Sequence, residues 1–314
     1  MGSLLRYAAK KMLIGVPVVI GLTVILFFLL MVLPGDPVSL IVPDRRNVPE
    51  WKIEEIRREW GLDQPLYLQY FYWLSHLVRG DLGVSFVSRT QVSSLIAQRL
   101  PYTLQITLTS LLLAYSFGIP LGVVAALKRG TKLESGLMGV SVFMYSMPRY
   151  WLGIIFMLVF GLYLKLLPIS GIGSQFSMVL PMLTLALPSV ASLARLMRTE
   201  MVEVLTEDYV RTAWAKGLPS SKVIWRHALR NALIPVVVMF FMDLPWLIGG
   251  AVIVESVFAW PGLGLLLYHS ILNQDFPVAQ AIIFFIALLT VICNILGDVL
   301  SAYLDPRIRV EKGP

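Results

Sequence analysis

Long apolar runs alternate along this chain with shorter polar stretches. A helix that crosses a membrane takes about 20 mostly apolar residues, because each residue advances it by about 1.5 Å and the hydrocarbon layer is about 30 Å thick. By that measure the pattern predicts six spans, over 12–33, 101–127, 134–164, 178–197, 232–254 and 278–303. The first follows Arg6, Lys10 and Lys11. It is longer than a signal-peptide core and no small-x-small site follows it, so it reads as an uncleaved span. Pro101 stands at the entry of the second, where its missing N–H is harmless. The third is composite: 134–147 and 150–164 are each too short to cross, and together they read as one long helix kinked at Pro148.

The stretches between the spans have patterns of their own. Residues 34–100 read as a folded external region that opens on a rigid turn, Leu33-Pro34-Gly35-Asp36-Pro37. Within it, 49–60 reads as an amphipathic helix with Ile53, Ile56 and Trp60 on one face and Gly61 at its end. A second helix over 65–78 carries Tyr67, Phe71, Leu74 and Val78 on one stripe. Basic and acidic residues balance here. The region is either a lid packed over the spans or a contact surface for an external protein. Residues 198–231 are charged where a simple connection would be short. They read as two helices broken once at Gly217-Leu218-Pro219. Gly217 suits a left-handed helix end and Pro219 the first turn of the next helix. Between the last two spans, Phe258-Ala259-Trp260-Pro261-Gly262-Leu263-Gly264 disfavours a plain helix, so it either re-enters near the outer mouth or forms an external turn. Residues 304–314 form a short tail.

Composition agrees with an all-α integral membrane protein. Apolar residues make up 57% of the chain and charged ones 14%, against about 25% charged in a soluble domain. The net charge of +7 is spread as in a membrane protein and does not point to nucleic acid. Lys and Arg gather before the first span, in 128–132, in 195–231 and in 307–312. The short connections on the other side hold only Lys165, and the long 34–100 loop counts little for orientation. Both termini, 128–132 and 195–231 are therefore expected on the cytoplasmic side, with 34–100 outside. Splitting the third span in two would reverse the basic 195–231 loop, against the charge rule.

The chain carries no catalytic constellation. It has no G-x-x-x-x-G-K-[ST] and no Gly-Lys pair, so it lacks a P-loop for ATP. His76, His227 and His269 fall in different regions without ligand spacing, and Cys293 is the only cysteine, which leaves no metal cluster in view. Charges inside the spans are costly and either pair or line a pathway. Arg149, after the kink, and Asp243, in the fifth span, are candidates for an ion pair or for a pathway wall. Asp298 lies near the cytosolic end of the sixth span. The outer-mouth candidates are Trp260, Pro261, Gly262 and Gly264. The docking candidates in the charged hairpin are Glu207, Asp208, Tyr209, Arg211, Thr212, Ala213, Lys216, Gly217, Arg226, His227, Arg230 and Asn231.

These residues resemble the permease subunits of ATP-binding-cassette importers, whose cytosolic coupling loop carries an E-A-A-x-x-x-G pattern. Arg211-Thr212-Ala213 stands where E-A-A would, followed by Gly217, so the first two positions depart from the pattern. The strings LPGDPV (33–38), GLDQPLYLQYFYWLSHLVRGDLGVSF (61–86), F-x-W-P-G-L-G (258–264) and DPRIR (305–309) are similar to the B-type permease of the dipeptide/oligopeptide/nickel branch. Peptide permeases usually carry an amide residue where Asp243 stands. The resemblance implies six helices of the type I importer fold in a prokaryotic plasma membrane. It implies a heterodimer with a paralogous permease, two ATPase subunits that hold ATP and Mg, and an external solute-binding protein. The solute implied is a peptide, with a nickel chelate, glutathione or an oligosaccharide as alternatives. An ion-coupled secondary transporter would need paired intramembrane carboxylates and internal repeats, and would leave the charged hairpin unexplained. A membrane-embedded hydrolase would need a nucleophile–base cluster that the spans lack.

The charge bias makes one prediction directly. With Cys293→Ser as background, Ser88→Cys should react with a membrane-impermeant thiol reagent in intact cells and Ser220→Cys should not. The opposite labelling pattern refutes the layout.

Overall fold

The computed structural model describes residues 2–32, 49–59 and 63–304; the LPGDPV and DPRIR strings, Trp60 and Gly61 lie outside the described residues. The described chain is helical, with a single isolated bridge between Val84 and Gln91. The helices are α1 Gly2–Val32, α2 Glu50–Glu59, α3 Leu66–Val78, α4 Val92–Leu127, α5 Lys132–Ser146, α6 Arg149–Tyr163, α7 Val179–Thr206, α8 Asp208–Ala215, α9 Ser220–Phe258, α10 Leu263–Leu272 and α11 Phe276–Leu304. Five of them, α1, α4, α7, α9 and α11, are long and apolar enough to cross a membrane unaided. The α5–α6 pair qualifies only when taken together.

That pair corrects the expectation of one kinked helix over 134–164. The break does fall at Pro148, but the halves diverge by 101° and do not form a rod. Proline cannot donate to the helix ladder, and it drives the residue before it into extended backbone. Met147 (ψ 129) and Pro148 (ψ 134) are both extended, so the chain turns a corner between the two halves. Two boundaries also move. Pro101 lies inside α4, which starts at Val92, so the end of the expected external region is helical and continuous with the second span. Arg195 and Arg198, counted with the charged loop, belong to α7, which runs on to Thr206.

The core is a three-helix stack of α4, α7 and α9, with α11 bridging α9 to α1. Lipid tails are as apolar as leucine, so helices associate through close fit, not through a hydrophobic drive. The α4–α7 seam shows how. A Cβ on Gly122 would lie 2.5 Å from Met197 Cβ and 2.6 Å from the Ala194 carbonyl oxygen. At Gly118 it would lie 2.9 Å from Leu193 Cβ. Ser110 adds a hydrogen bond to the Met182 carbonyl at 3.0 Å. Around this seam pack Leu193, Met197 and Met201 from α7 and Ala228, Ala232 and Val236 from α9. At the α1 end, Lys11 Nζ meets Asp298 at 2.5 Å, which gives the Asp298 carboxylate a partner.

Outside this core, α3 is mostly apolar, buries none of its residues and is tied to α1 by Tyr70 and Trp73 against Phe27. Gly122→Ala should lower the stability of the purified protein by about 1–3 kcal/mol through overpacking. Gly136→Ala in α5, where a Cβ meets nothing within 4 Å, should be neutral or gain up to about 1 kcal/mol. Thermal unfolding in detergent reads both, and equal shifts would contradict the seam.

Candidate functional site

The charged hairpin is a small folded unit. Glu207 leaves the helical region (ψ 145), which ends α7 and starts α8 at an angle. Val210 and Ala213 of α8 turn inward and meet Val223 of α9, with Leu218 and Leu205 closing the cluster. Burying three apolar side chains fixes the two arms against each other, at about 1.5–3 kcal/mol for each valine. Gly217 has φ +74, and a Cβ added there would meet nothing within 4 Å, so glycine is required for its backbone angle and not for space. The turn closes through Leu218 N–H to the Ala213 carbonyl at 3.4 Å. Asn231 Nδ2 donates to Tyr209 Oη at 2.8 Å and to the His227 carbonyl at 3.2 Å, tying the arms at their far end.

With its apolar side sealed, the hairpin presents the rest to solvent. Glu207, Asp208, Arg211, Thr212 and Lys216 are exposed on the first arm, and Arg226, Arg230 and Asn231 on the second; His227 is half-buried. Ala213 is buried, so of the R-T-A triplet only two residues are available for contact. Sequence reasoning missed two members. Trp214 is 41% exposed and Trp225 65% exposed. Their signal was present: tryptophan inside a charged stretch, where aromatic and arginine residues are the usual anchors of an interface.

A second set of polar groups lies at mid-depth in the bundle. Asp243 on α9 accepts a hydrogen bond from the Tyr115 phenol of α4 at 3.0 Å. Arg149, at the start of α6, lies over Gly250, where a Cβ would overlap its Nη1. The expected Arg149–Asp243 ion pair is therefore not formed: no N···O contact within 4.0 Å links them. The reason is register. Asp243 and Gly250 share one face of α9 about two turns apart, and the hollow left by glycine holds the guanidinium away from the carboxylate. Arg149 stays within electrostatic range of Asp243 and Tyr145.

The 258–264 stretch settles as a tight turn followed by the short helix α10. α9 stops at Ala259, which adopts a left-handed conformation (φ 50), and Trp260 N–H returns to the Glu255 carbonyl at 2.9 Å. Trp260, expected at an open mouth, is only 4% exposed; its Nε1 donates to the Tyr102 carbonyl at 3.0 Å. Gly262 and Gly264 are buried beside the carboxylate of Glu255, which leaves no room for a side chain at either. Pro261 is half-buried, and its carbonyl accepts from Arg99 at 3.4 Å. Glu255 went unnoticed in the sequence, yet it is fully buried. It accepts from Thr103 Oγ1 at 2.6 Å, Gly264 N–H at 2.6 Å and Leu265 N–H at 3.1 Å. Thr103 in turn accepts from Leu263 N–H at 2.7 Å. A carboxylate thus caps the free N–H groups that open α10 and joins α4, α9 and α10.

Residues 118–310 match the family of binding-protein-dependent transport system inner membrane components, and residues 4–107 match the N-terminal family of the same membrane components. The chain is 37% identical over 313 residues to the oligopeptide transport system permease protein AppB of Bacillus subtilis (strain 168), covering 96% of this chain and 98% of that one. It is 37% identical to the di/tripeptide transport system permease protein DppB of Pseudomonas aeruginosa (strain UCBPP-PA14), covering 98% and 100%. It is 41% identical to the glutathione transport system permease protein GsiC of Escherichia coli (strain K12), again covering 98% and 100%. In fold it is similar to an inward-facing conformation of the MetNI methionine ABC transporter, with a TM-score of 0.58 at 20% identity, covering 68% of this chain and 97% of that one.

Glu255→Gln should lower the thermal midpoint, with a loss of about 2–3 kcal/mol, because an amide keeps the shape but gives up charge-assisted acceptance from the donors around it. Thr103→Ser, which keeps the hydroxyl, should cost less than half as much. Equal midpoints for wild type and Glu255→Gln would remove the carboxylate from its capping role.

Proposed function

The chain belongs to the family of binding-protein-dependent transport system inner membrane components, the membrane-spanning permeases of ATP-binding-cassette importers, and we propose that it is one half of a peptide-uptake pathway in a prokaryotic plasma membrane. Both termini face the cytoplasm. A paralogous permease supplies the other half, two ATPase subunits bind ATP and Mg, and an external solute-binding protein delivers the peptide. The full-length similarity to an oligopeptide and a di/tripeptide permease supports the choice of solute. Glutathione, carried by another relative, is itself a small peptide.

The observation that carries the coupling role is the hairpin. It has an internal apolar cluster, a fixed left-handed turn and an outer surface of charges with two exposed tryptophans. A hairpin that only joined two spans would need none of these. Seated in a groove of an ATPase, it moves as a rigid piece. Because α9 runs into it as continuous helix and α7 joins it through the single extended residue Glu207, displacement of the hairpin is passed to both helices. Those helices hold the packed seam and the mid-depth polar groups. Movement at the ATPase thereby reaches the pathway without any covalent chemistry in this chain.

Gly217→Val should leave the protein in the membrane and weaken ATPase recruitment, because a side chain at that backbone angle costs about 1 kcal/mol or more. Trp225→Ala should reduce co-purification of the ATPases about tenfold or more, the usual effect of removing an interface anchor, with no change in thermal midpoint. Normal recruitment and normal transport in both variants would falsify the docking role.

A further inference from the structure

The corner at Met147-Pro148 gathers more charge than the expected pair. Tyr145, the last aromatic of α5, stacks against Arg195 of α7, with Cζ 4.5 Å from the ring centroid. Arg195 Nε is buried and has no hydrogen-bond partner among the described residues. Arg149 follows the corner and lies over Gly250, also with no carboxylate within 4.0 Å among the described residues. The nearby acid, Asp243, already accepts from Tyr115. By helical rise, Tyr115 and Tyr145 each stand about 18–20 Å from the ends of their helices on the charged-hairpin side, and the Tyr115 phenol meets Asp243. Arg195 stands one turn along α7 from Arg198, which is paired with Glu134, and reaches the Tyr145 ring. Arg149 thus stands within electrostatic range of a committed carboxylate and of Tyr145, whose ring holds Arg195, and unpaired charge of this kind is costly inside a membrane.

An excess cation kept at that cost calls for an anion that comes and goes. Arginine suits a planar oxyanion, because its N–H groups form a fork that fits two oxygens. Tyr145 holds the Arg195 guanidinium by its ring face and leaves the N–H edge free. We propose that Arg149 and Arg195, arranged around Tyr145, form a mid-membrane subsite for a carboxylate, the C-terminal carboxylate of the peptide in transit. Asp243 keeps the site from holding the anion too tightly, since conduction needs binding strong enough for entry and weak enough for release. The proposal rests on the peptide-uptake reading above.

The test uses the complete transporter, both permeases with the ATPases and the binding protein, reconstituted in vesicles. Uptake of a tripeptide with a free C-terminus is compared with uptake of its C-terminal amide. Each is expressed as the ratio of variant to wild type, which cancels any preference of the binding protein. Arg149→Gln and Arg195→Gln should each lower the ratio for the free peptide about tenfold, the loss expected for one charge-assisted contact, and leave the amide within about twofold. Arg195→Lys should recover part of the loss. Co-purification of the ATPases confirms that each variant assembles. Equal loss for both peptides would assign the arginines to structure and overturn the subsite, as would no loss for either. A wild-type assembly that takes up neither peptide overturns the peptide reading, and the subsite with it.

Discussion

A buried carboxylate in a membrane protein has no water to fall back on, so every bond it needs must come from the chain. Glu255 meets that demand with a threonine hydroxyl from α4 and two backbone N–H groups from α10. The N–H groups at the start of α10 face the same difficulty with opposite sign, because the first turn of any helix leaves donors unpaired. One side chain answers both. The consequence is geometric: α9 must end close to where α10 begins, and α4 must pass beside the junction. Ala259 accepts a left-handed backbone to make this possible, a cost of about 1–2 kcal/mol that the network around Glu255 offsets. Gly262 is small because the carboxylate occupies the space beside it, and Gly264 because the Val252 backbone and the carboxylate do.

With that junction fixed, the α4–α7–α9 stack becomes a stiff body. Its seam is tight enough that a single methyl group at Gly122 has no place to go. Close packing of this kind transmits displacement and does not absorb it. The hairpin at one end has its own apolar cluster and its own locked turn, so it too resists bending. Two rigid pieces joined by the continuous helix α9 behave as one lever. The corner at Met147-Pro148 is the exception. There two residues of extended backbone interrupt the helix ladder.

Much of this was legible in the residues. Five spans, the helices at 50–59 and 66–78, and the break at Pro148 all follow from hydrophobic length, periodicity and proline chemistry. The left-handed Gly217 was legible for the same reason: a glycine just before Leu-Pro in a polar helical stretch has few other uses. What stayed hidden depended on neighbours distant in sequence. Glu255 looks like an ordinary polar residue near a span end until Thr103, 152 positions away, is placed beside it. The Arg149–Asp243 pair was the natural expectation from two opposite charges in apolar runs. It fails because of Gly250, whose lack of a side chain gives the guanidinium a different seat. The size of the bend at Pro148 was hidden too, since proline announces a break but not whether the chain beyond it continues or turns aside.

Irregular backbone at membrane depth persists only where protein or a water-filled cavity covers it. The corner between α5 and α6 is covered on one side by α7, through Arg195 and Tyr145, and by α9, through Gly250. Phe143, Tyr150 and Trp151, on the two arms of the corner, are exposed, as is Trp246 on α9. Half-buried guanidiniums without carboxylate partners are poorly suited to hydrocarbon, which solvates exposed rings but not charges. They are well suited to a second subunit that supplies packing for the aromatics and leaves a wet channel over the arginines. The proposed partner permease therefore has a physical ground in this chain: the buried Nε of Arg195 finds no hydrogen-bond partner among the described residues.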